Sequence, residues 1–223
     1  MSKISLKHSG GNVVSLNSPA NAPASADVAF KLPNADGTSG QAIVTDASGN
    51  LSFAGTGKLL QVVSSTKTDA WSQTANTTAG TDIPGTDQSG SGSVFCVKIT
   101  PSATSSKILF TTSITIGMGG GAAYVQAFMV RGSTVLLPST VISSGSGVNA
   151  TFGLSGTGSA YYTENMNFTF LDSPNSTSEL TYKVQLGKGD GGYSLYVNRP
   201  ATLDGNAYNT AGSSTVTVME VAA

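Results

Sequence analysis

Lys107–Ile116, KILFTTSITI, decides the fold: Ile108, Phe110, Ile114 and Ile116 fall on one side of an extended chain, and Leu109, Thr111, Ser113 and Thr115 on the other. A repeat of two is the signature of a strand with one face on a core. The same reading extends outward. Tyr124, Phe128 and Val130 oppose Val125, Ala127 and Met129; Tyr162, Met166, Phe168 and Phe170 oppose Thr163, Asn165, Asn167 and Thr169. Leu180, Tyr182, Val184 and Leu186 oppose Thr181, Lys183 and Gln185, and near the end Val216 and Val218 alternate with Thr217, Met219 and Val221. Pro138 interrupts TVLLPSTVI, ending one strand and beginning another. With KLLQVV from Lys58 and VFCVKIT at Val94–Thr100, eight or nine strands follow one another between Gly/Ser/Asn clusters, and no window carries a helical stripe. The expected class is all-β, a sandwich or jelly roll over residues 58–223. Asn76–Ser93 reads as a long turn-rich loop pinned at Ile83-Pro84, and GMGGG, Gly117–Gly121, as a hairpin turn.

Composition sets bounds. Only 10% of the 223 residues are charged, against ~25% in ordinary soluble domains. A net charge of −1 gives no attraction for nucleic acid or an anionic membrane, and no apolar run approaches the ~18 residues of a spanning helix. MSKISLKHSGG has no apolar core of a secretory signal, so a virion protein made in the host cytoplasm fits better than a secreted one. A single cysteine, Cys96, excludes an internal disulfide framework and reads as a small buried apolar residue.

Residues 26–57 have a different texture. VAFKLP closes at Pro33, two turn clusters follow (Asn34–Gly40 and Ala47–Asn50), and QAIVTD and LSFA lie around the second. Each segment carries two or three apolar residues, too few for a hairpin to stand alone. The pattern LPxADGxxGQxxxTDxxGxLxF resembles a module of phage fibre proteins, particularly of marine and cyanobacterial phages. KLLQVV with Trp71, and ITPSATSSKILF at Ile99–Phe110, resemble the opening of the C-terminal domain in the same fibres.

The resemblance implies a homotrimer with a virion anchor at 1–25, an intertwined β stalk at 26–57 and a jelly-roll head at 58–223. In architecture the head resembles trimeric C1q and tumour-necrosis-factor domains, whose last strand lies near the axis. The anchor carries Ile4 and Leu6, then Val13, Val14 and Leu16, as two short strands around Gly10-Gly11. The implied function is a tail fibre on the virion surface, docked through its N-terminus on a tail tube, nozzle, adaptor or capsid protein. Its head would adhere to a host-surface glycan or outer-membrane protein. A capsid-decorating head fibre and a glycan depolymerase are the alternatives.

Catalysis finds little support. A nucleophile and base pair needs a His or its equivalent, and His8, the sole histidine, lies outside the head. With no second His or Cys beside it, His8 makes no metal site, and no cofactor is expected. Most head carboxylates sit beside Gly, Pro or Asn as turn residues, while Glu164 and Glu220, within strands, read as edge or subunit-interface charges. Recognition is expected in the segment 188–213, where Tyr193, Tyr196, Arg199 and Tyr208 stand among small residues.

Overall fold

The computed structural model describes residues 3–7, 9–11, 13–17, 31–38, 41–46, 48, 50–55, 58–74, 77–119, 124–137, 148–155, 159–189 and 193–222. They are strands, bridges, turns and bends, grouped in two compact units, Met1–Thr56 and Gly57–Ala223.

In the first unit β1 (Lys3–Lys7) and β2 (Val13–Asn17) form an antiparallel pair, with Ile4 opposite Leu16, Leu6 opposite Val14 and Lys7 opposite Val13. β3 (Gln41–Thr45) and β4 (Leu51–Gly55) form a second hairpin. Its turn shows why an Asp precedes the Ser-Gly-Asn run. The Asp46 carboxylate accepts hydrogen bonds from the Ser48 N–H (2.8 Å), the Asn50 N–H (3.1 Å) and the Asn50 Nδ2 (2.5 Å). An Asx side chain bonding its own downstream backbone is what closes such a turn. Lys31 bridges to Asn50 and its carbonyl accepts from the Leu51 N–H, so the Leu-Pro-Asn segment lies beside the hairpin. Residues 18–30, with the linker prolines and VAF, lie outside the described residues, as does His8.

The second unit holds β5 (Leu59–Lys67), β6 (Trp71–Gln73), β7 (Thr77–Asp82), β8 (Cys96–Ile99), β9 (Lys107–Met118), β10 (Tyr124–Arg131), β11 (Thr134–Leu136), β12 (Phe152–Ser155), β13 (Thr163–Asp172), β14 (Leu180–Lys188), β15 (Leu195–Val197) and β16 (Ser214–Val221). β9 is the spine of one sheet. β13 pairs along one edge of it, and β16 and then β15 pair in line along the other, backed by β5 and β6. The second sheet is built alike: β14 pairs with β10 on one edge and with β8 and β7 on the other, and β10 carries β11 and β12. Among the described residues each sheet is thus four strands wide and antiparallel, and the chain passes from one to the other in the groups β5–β6, β7–β8, β9, β10–β12, β13, β14 and β15–β16. That connectivity is a jelly roll.

The core fills the space between the sheets, with inward residues from both. In β9 every second residue from Ile108 to Ile116 is buried, and in β16 every second one from Ser214 to Glu220. Phe110 meets Tyr182 edge to face, ring centroids 5.3 Å apart, joining the two spines. The Tyr182 hydroxyl donates to Asp172 (2.7 Å), which also takes the Arg131 guanidinium (2.6 Å), so the ring's polar tip is satisfied inside.

Three expectations need correction. TTAGTD of the supposed 76–93 loop is strand β7, paired with β14: three threonines and a glycine give no apolar signal, but Gly80 leaves room for the Phe128 ring and Gln185 that a Cβ would meet at 2.9 and 2.8 Å. Gly117 and Met118 are not a turn but the end of β9, facing Thr163 and Leu195 across two pairings, while 120–121 lie outside the described residues. Glu220 is neither at an edge nor at a subunit interface; it is 1% exposed and shares the inward face of β16 with Val216 and Val218.

Burial of that carboxylate is tolerated because it is saturated with donors. Glu220 accepts from the Ser102 N–H (2.7 Å), the Ser102 hydroxyl (2.6 Å) and the Gln61 amide (2.6 Å). Desolvation pushes its pKa up, but the bonds from Ser102, Gln61 and Ser106 outweigh it and bring the group down from 4.5 to about 2. A pKa lowered on folding contributes stability above the unfolded value and loses it as pH falls through the folded one. We therefore expect Glu220→Gln, which places an amide against donors, to lower unfolding free energy at pH 7 by about 3 kcal/mol, with the gap to wild type closing between pH 4 and pH 2. Urea titrations at pH 7, 4 and 2 measure it, and a gap independent of pH would refute the assignment.

Candidate functional site

The loop 198–212 leaves β15 and returns to β16 with its ends tied together, and compact surface loops of this kind are frequent carriers of function. The knot is Asn198, 1% exposed with φ of 65°, a left-handed conformation that Asn tolerates better than most residues. Its N–H donates to the Thr115 carbonyl (2.9 Å), and its carbonyl accepts from the Gly212 N–H (3.0 Å). Its side-chain amide donates to the Lys67 and Asp69 carbonyls (2.9 and 3.0 Å), and its Oδ1 accepts from the Ser214 hydroxyl (2.6 Å). Ser214 Oγ in turn accepts from the Thr115 N–H (3.1 Å). One residue thus spans the gap where β6/β15 succeed β5/β16. The loop then crosses Gly117 closely: a Cβ there would strike the Arg199 carbonyl and lie 2.8 Å from Pro200 Cα.

Of the four residues expected to carry recognition, Tyr196 and Arg199 pack on each other at the base of the loop. Tyr196 sits in β15 between Leu195 and Val197, both core residues, and its ring lies under the Arg199 guanidinium, 4.2 Å from centroid to Cζ. Arg199 also donates to the Pro200 and Ala201 carbonyls (3.2 and 3.4 Å), which shapes the start of the loop. Tyr193 is 36% exposed and packs beside Gly119. Tyr208 is the outlying ring, 45% exposed yet fixed from three sides. Its hydroxyl donates to Asp204 (2.9 Å) and accepts from the Asn206 amide (2.8 Å), and its ring meets Tyr161 edge to face at 5.4 Å.

Tyr161, 39% exposed, was not among the expected residues, nor were Asp204 and Asn206. It lies on the turn before β13, brought alongside by the Thr202 N–H donating to the Ala160 carbonyl (2.9 Å). Forty-odd residues separate the two rings in sequence, so only the fold reveals the pair. Asp204 also accepts from the Asn206 N–H (3.1 Å) and donates its own N–H to Asn209 (2.9 Å). Desolvation raises its pKa, but the bonds from Asn206 and Tyr208 prevail and hold the carboxyl below its ordinary value; the same Asp204 bond pushes the Tyr208 phenol up.

Four other carboxylates of the head are paired within it. Asp82 pairs with Lys183 (2.8 Å), Asp172 with Arg131 (2.6 Å) and Lys67 with Asp69 (2.7 Å). Asp87 closes the 87–91 turn, taking the Ser89 hydroxyl (2.6 Å) and the Ser91 N–H (3.1 Å), with Lys98 at 3.1 Å. A cavity of about 220 Å³ beside it is lined by Ser91, Ser93, Cys96, Lys98, Thr181 and Lys183. Cys96 is buried, as expected, and burial pushes its thiol up. Among the described residues no group of three His, Cys, Asp or Glu could hold a metal ion.

A second surface is the outer face of the β9 sheet. Val62, Met219, Leu109 and Leu171 stand side by side across β5, β16, β9 and β13, one apolar row over the whole width. Val62 is 54% and Leu171 51% exposed. The next row is Ser64, Thr217, Thr111 and Thr169, all hydroxyls, with Ser64 and Thr217 bonded at 2.8 Å.

No family model and no curated protein matches the chain. Among solved structures it is similar to that of infectious bursal disease virus, Gx strain, at 13% identity and TM-score 0.36, over 77% of this chain and 44% of that one. It is also similar to the VP2 subviral particle of the same virus, at 13% identity and TM-score 0.32, over 78% of this chain and 40% of that one. The chain spans less than half the length of these structures.

Asn198→Ala would orphan the Lys67 and Asp69 carbonyls and Ser214 and place alanine at positive φ. The expected loss is about 2–4 kcal/mol, read by chemical unfolding, with the Tyr161–Tyr208 contact released first. Unchanged stability would show that the two halves of the sheet are joined by something else.

Proposed function

We propose that the chain is a non-enzymatic structural component of a phage virion: a homotrimeric tail fibre whose jelly-roll head adheres to the host surface. In this reading the hairpins of the first unit provide the anchor (1–25) and stalk (26–57), and docking on another virion protein runs through Ile4, Leu6, Val13, Val14 and Leu16. The observation that carries it is the apolar row Val62–Met219–Leu109–Leu171. A sheet face turned to water should alternate to polar at these positions, and four apolar residues in register ask for a covering surface. Copies of the same chain suit it, because the rows toward Thr115 are Ser, Thr and Asn, and Lys107 in the row on the other side donates to Ser173.

The stalk supports the same conclusion independently. Leu32 is 79% and Ile43 59% exposed, and an open groove of about 530 Å³ runs along Leu32, Pro33, Asn34, Leu51 and Phe53. A two-stranded hairpin with its apolar residues in water is marginal alone, and intertwining three copies buries them. The ion-paired or hydrogen-bonded state of Asp82, Asp87, Asp172 and Glu220 favours a scaffold over a hydrolase, which needs two carboxylates poised on a shared cleft.

Light scattering on the purified chain should give about three times its 22.4 kDa. Met219→Lys, a charge in the middle of the row with its side chain outside the core, should yield a folded β protein of lower mass. A monomeric wild type at micromolar concentration, or a lysine variant that stays trimeric, would remove the basis for this assembly.

A further inference from the structure

We infer that the Tyr161–Tyr208 pair, with Asp204, Asn206 and Asn209, is a binding site for a neutral glycan. The inference rests on the adhesion reading above and gives it a place and a ligand chemistry. The starting point is the state of Tyr208. An exposed tyrosine normally keeps its rotamer freedom, whereas this one is held by two hydrogen bonds at its hydroxyl and an aromatic edge contact. Its ring is ordered before any ligand arrives, so binding loses little side-chain entropy.

The polar groups beside the rings have the complementarity that sugars require. The Asp204 carboxylate takes the Asn206 N–H on one oxygen and the Tyr208 hydroxyl on the other, with the Asn206 amide also beside it, and a carboxylate has about four lone-pair sites. Those lone pairs accept from hydroxyls, while amides donate to them. Asn209 Nδ2 is buried without a hydrogen-bond partner, an orphan donor on the same loop although its Oδ1 is used by the Asp204 N–H. A pyranose offers an apolar C–H face for a tyrosine ring and neighbouring hydroxyls for a carboxylate and an amide. The rings supply area, the loop supplies pairing.

Charge narrows the class. Arg199, the only cationic residue in 198–213, lies over Tyr196 and bonds to the Pro200 and Ala201 carbonyls, so Asp204 faces a ligand without a compensating cation in the loop. Sialic and uronic acids would meet like charge, whereas neutral hexoses and N-acetylhexosamines would not. A protein partner would need a far larger surface, since specific protein contacts bury about 800 Å² per side.

The full chain is tested on an array of neutral and acidic bacterial polysaccharide fragments, and on host cells before and after periodate, which cleaves vicinal diols, or protease. We expect binding to neutral glycans, loss of cell adsorption after periodate but not protease, and about tenfold or greater weakening in Tyr208→Ala and Tyr161→Ala. Tyr208→Phe, which keeps the ring and frees it, should weaken binding less, and circular dichroism and melting identify any variant that has merely unfolded. Adsorption lost to protease and indifferent to periodate overturns the glycan while adhesion stands. Binding confined to acidic glycans, or unaffected in folded Tyr208→Ala, overturns the site. No adsorption by wild type overturns adhesion and the inference with it.

Discussion

Along one edge of β9 two neighbours succeed each other, and the whole head depends on how the break between them is closed. β16 covers Lys107–Ser113 and β15 covers Ile116–Met118, leaving Ile114 and Thr115 between them. An open ladder there would bury unpaired backbone groups, each costing ~1–3 kcal/mol. Asn198 and Ser214 supply side-chain and main-chain partners instead, and carry the hydrogen bonding across to Lys67 and Asp69. The chain leaves the sheet at Asn198 and re-enters it at Ser214, so the same closure fixes both ends of the exposed loop. Fold and candidate site share a single hinge of polar groups.

That arrangement explains how a chain with so few charges keeps itself specific. Hydroxyls and amides do the work that ion pairs do elsewhere: Thr115 with Asn165 and the Ser213 carbonyl, Thr151 with Met129 and Leu136, Ser102 with Glu220. Each such bond is worth only ~0.5–1.5 kcal/mol net, but an unmatched register would orphan several at once. The charges that remain inside are correspondingly well furnished. Glu220 stands among three donors, and Asp172 takes both Arg131 and Tyr182, so neither carboxylate is buried without partners.

The strands that form the two spines were legible in the sequence because their inward residues are large and apolar. Ile108, Phe110, Ile114 and Ile116, like Tyr182, Val184 and Leu186, report burial directly through period two. What escaped was written in other residues. β7 is paired through backbone and packs through a glycine, so periodicity has nothing to register. Glu220 keeps the correct parity for the core, and only its polarity argued otherwise; the decisive fact, three donors converging from Gln61 and Ser102, is separated from it by more than a hundred residues. At the tip, Tyr208 was legible as an aromatic in a loop of small residues, whereas Tyr161 was not, because nothing in the sequence joins the turn before β13 to the loop after β15.

The outer face of the β9 sheet completes the physical picture. Its apolar row lies toward the end where Leu60 is exposed and Val221 is paired with Lys107, and the residues grow more polar along the strands toward Thr115 and Asn165. The Tyr161–Tyr208 pair belongs to that second, polar end, since β13 begins there and the loop leaves there. A subunit contact on the row would therefore cover the apolar half of the face and leave the loop end open. Self-association and recognition would then draw on opposite ends of one sheet, separated by rungs of Ser and Thr that suit neither a dry interface nor an aromatic site. In such a layout the two surfaces change independently: residues at the tip can vary with the ligand while the register of the row, which several strands fix together, stays as it is.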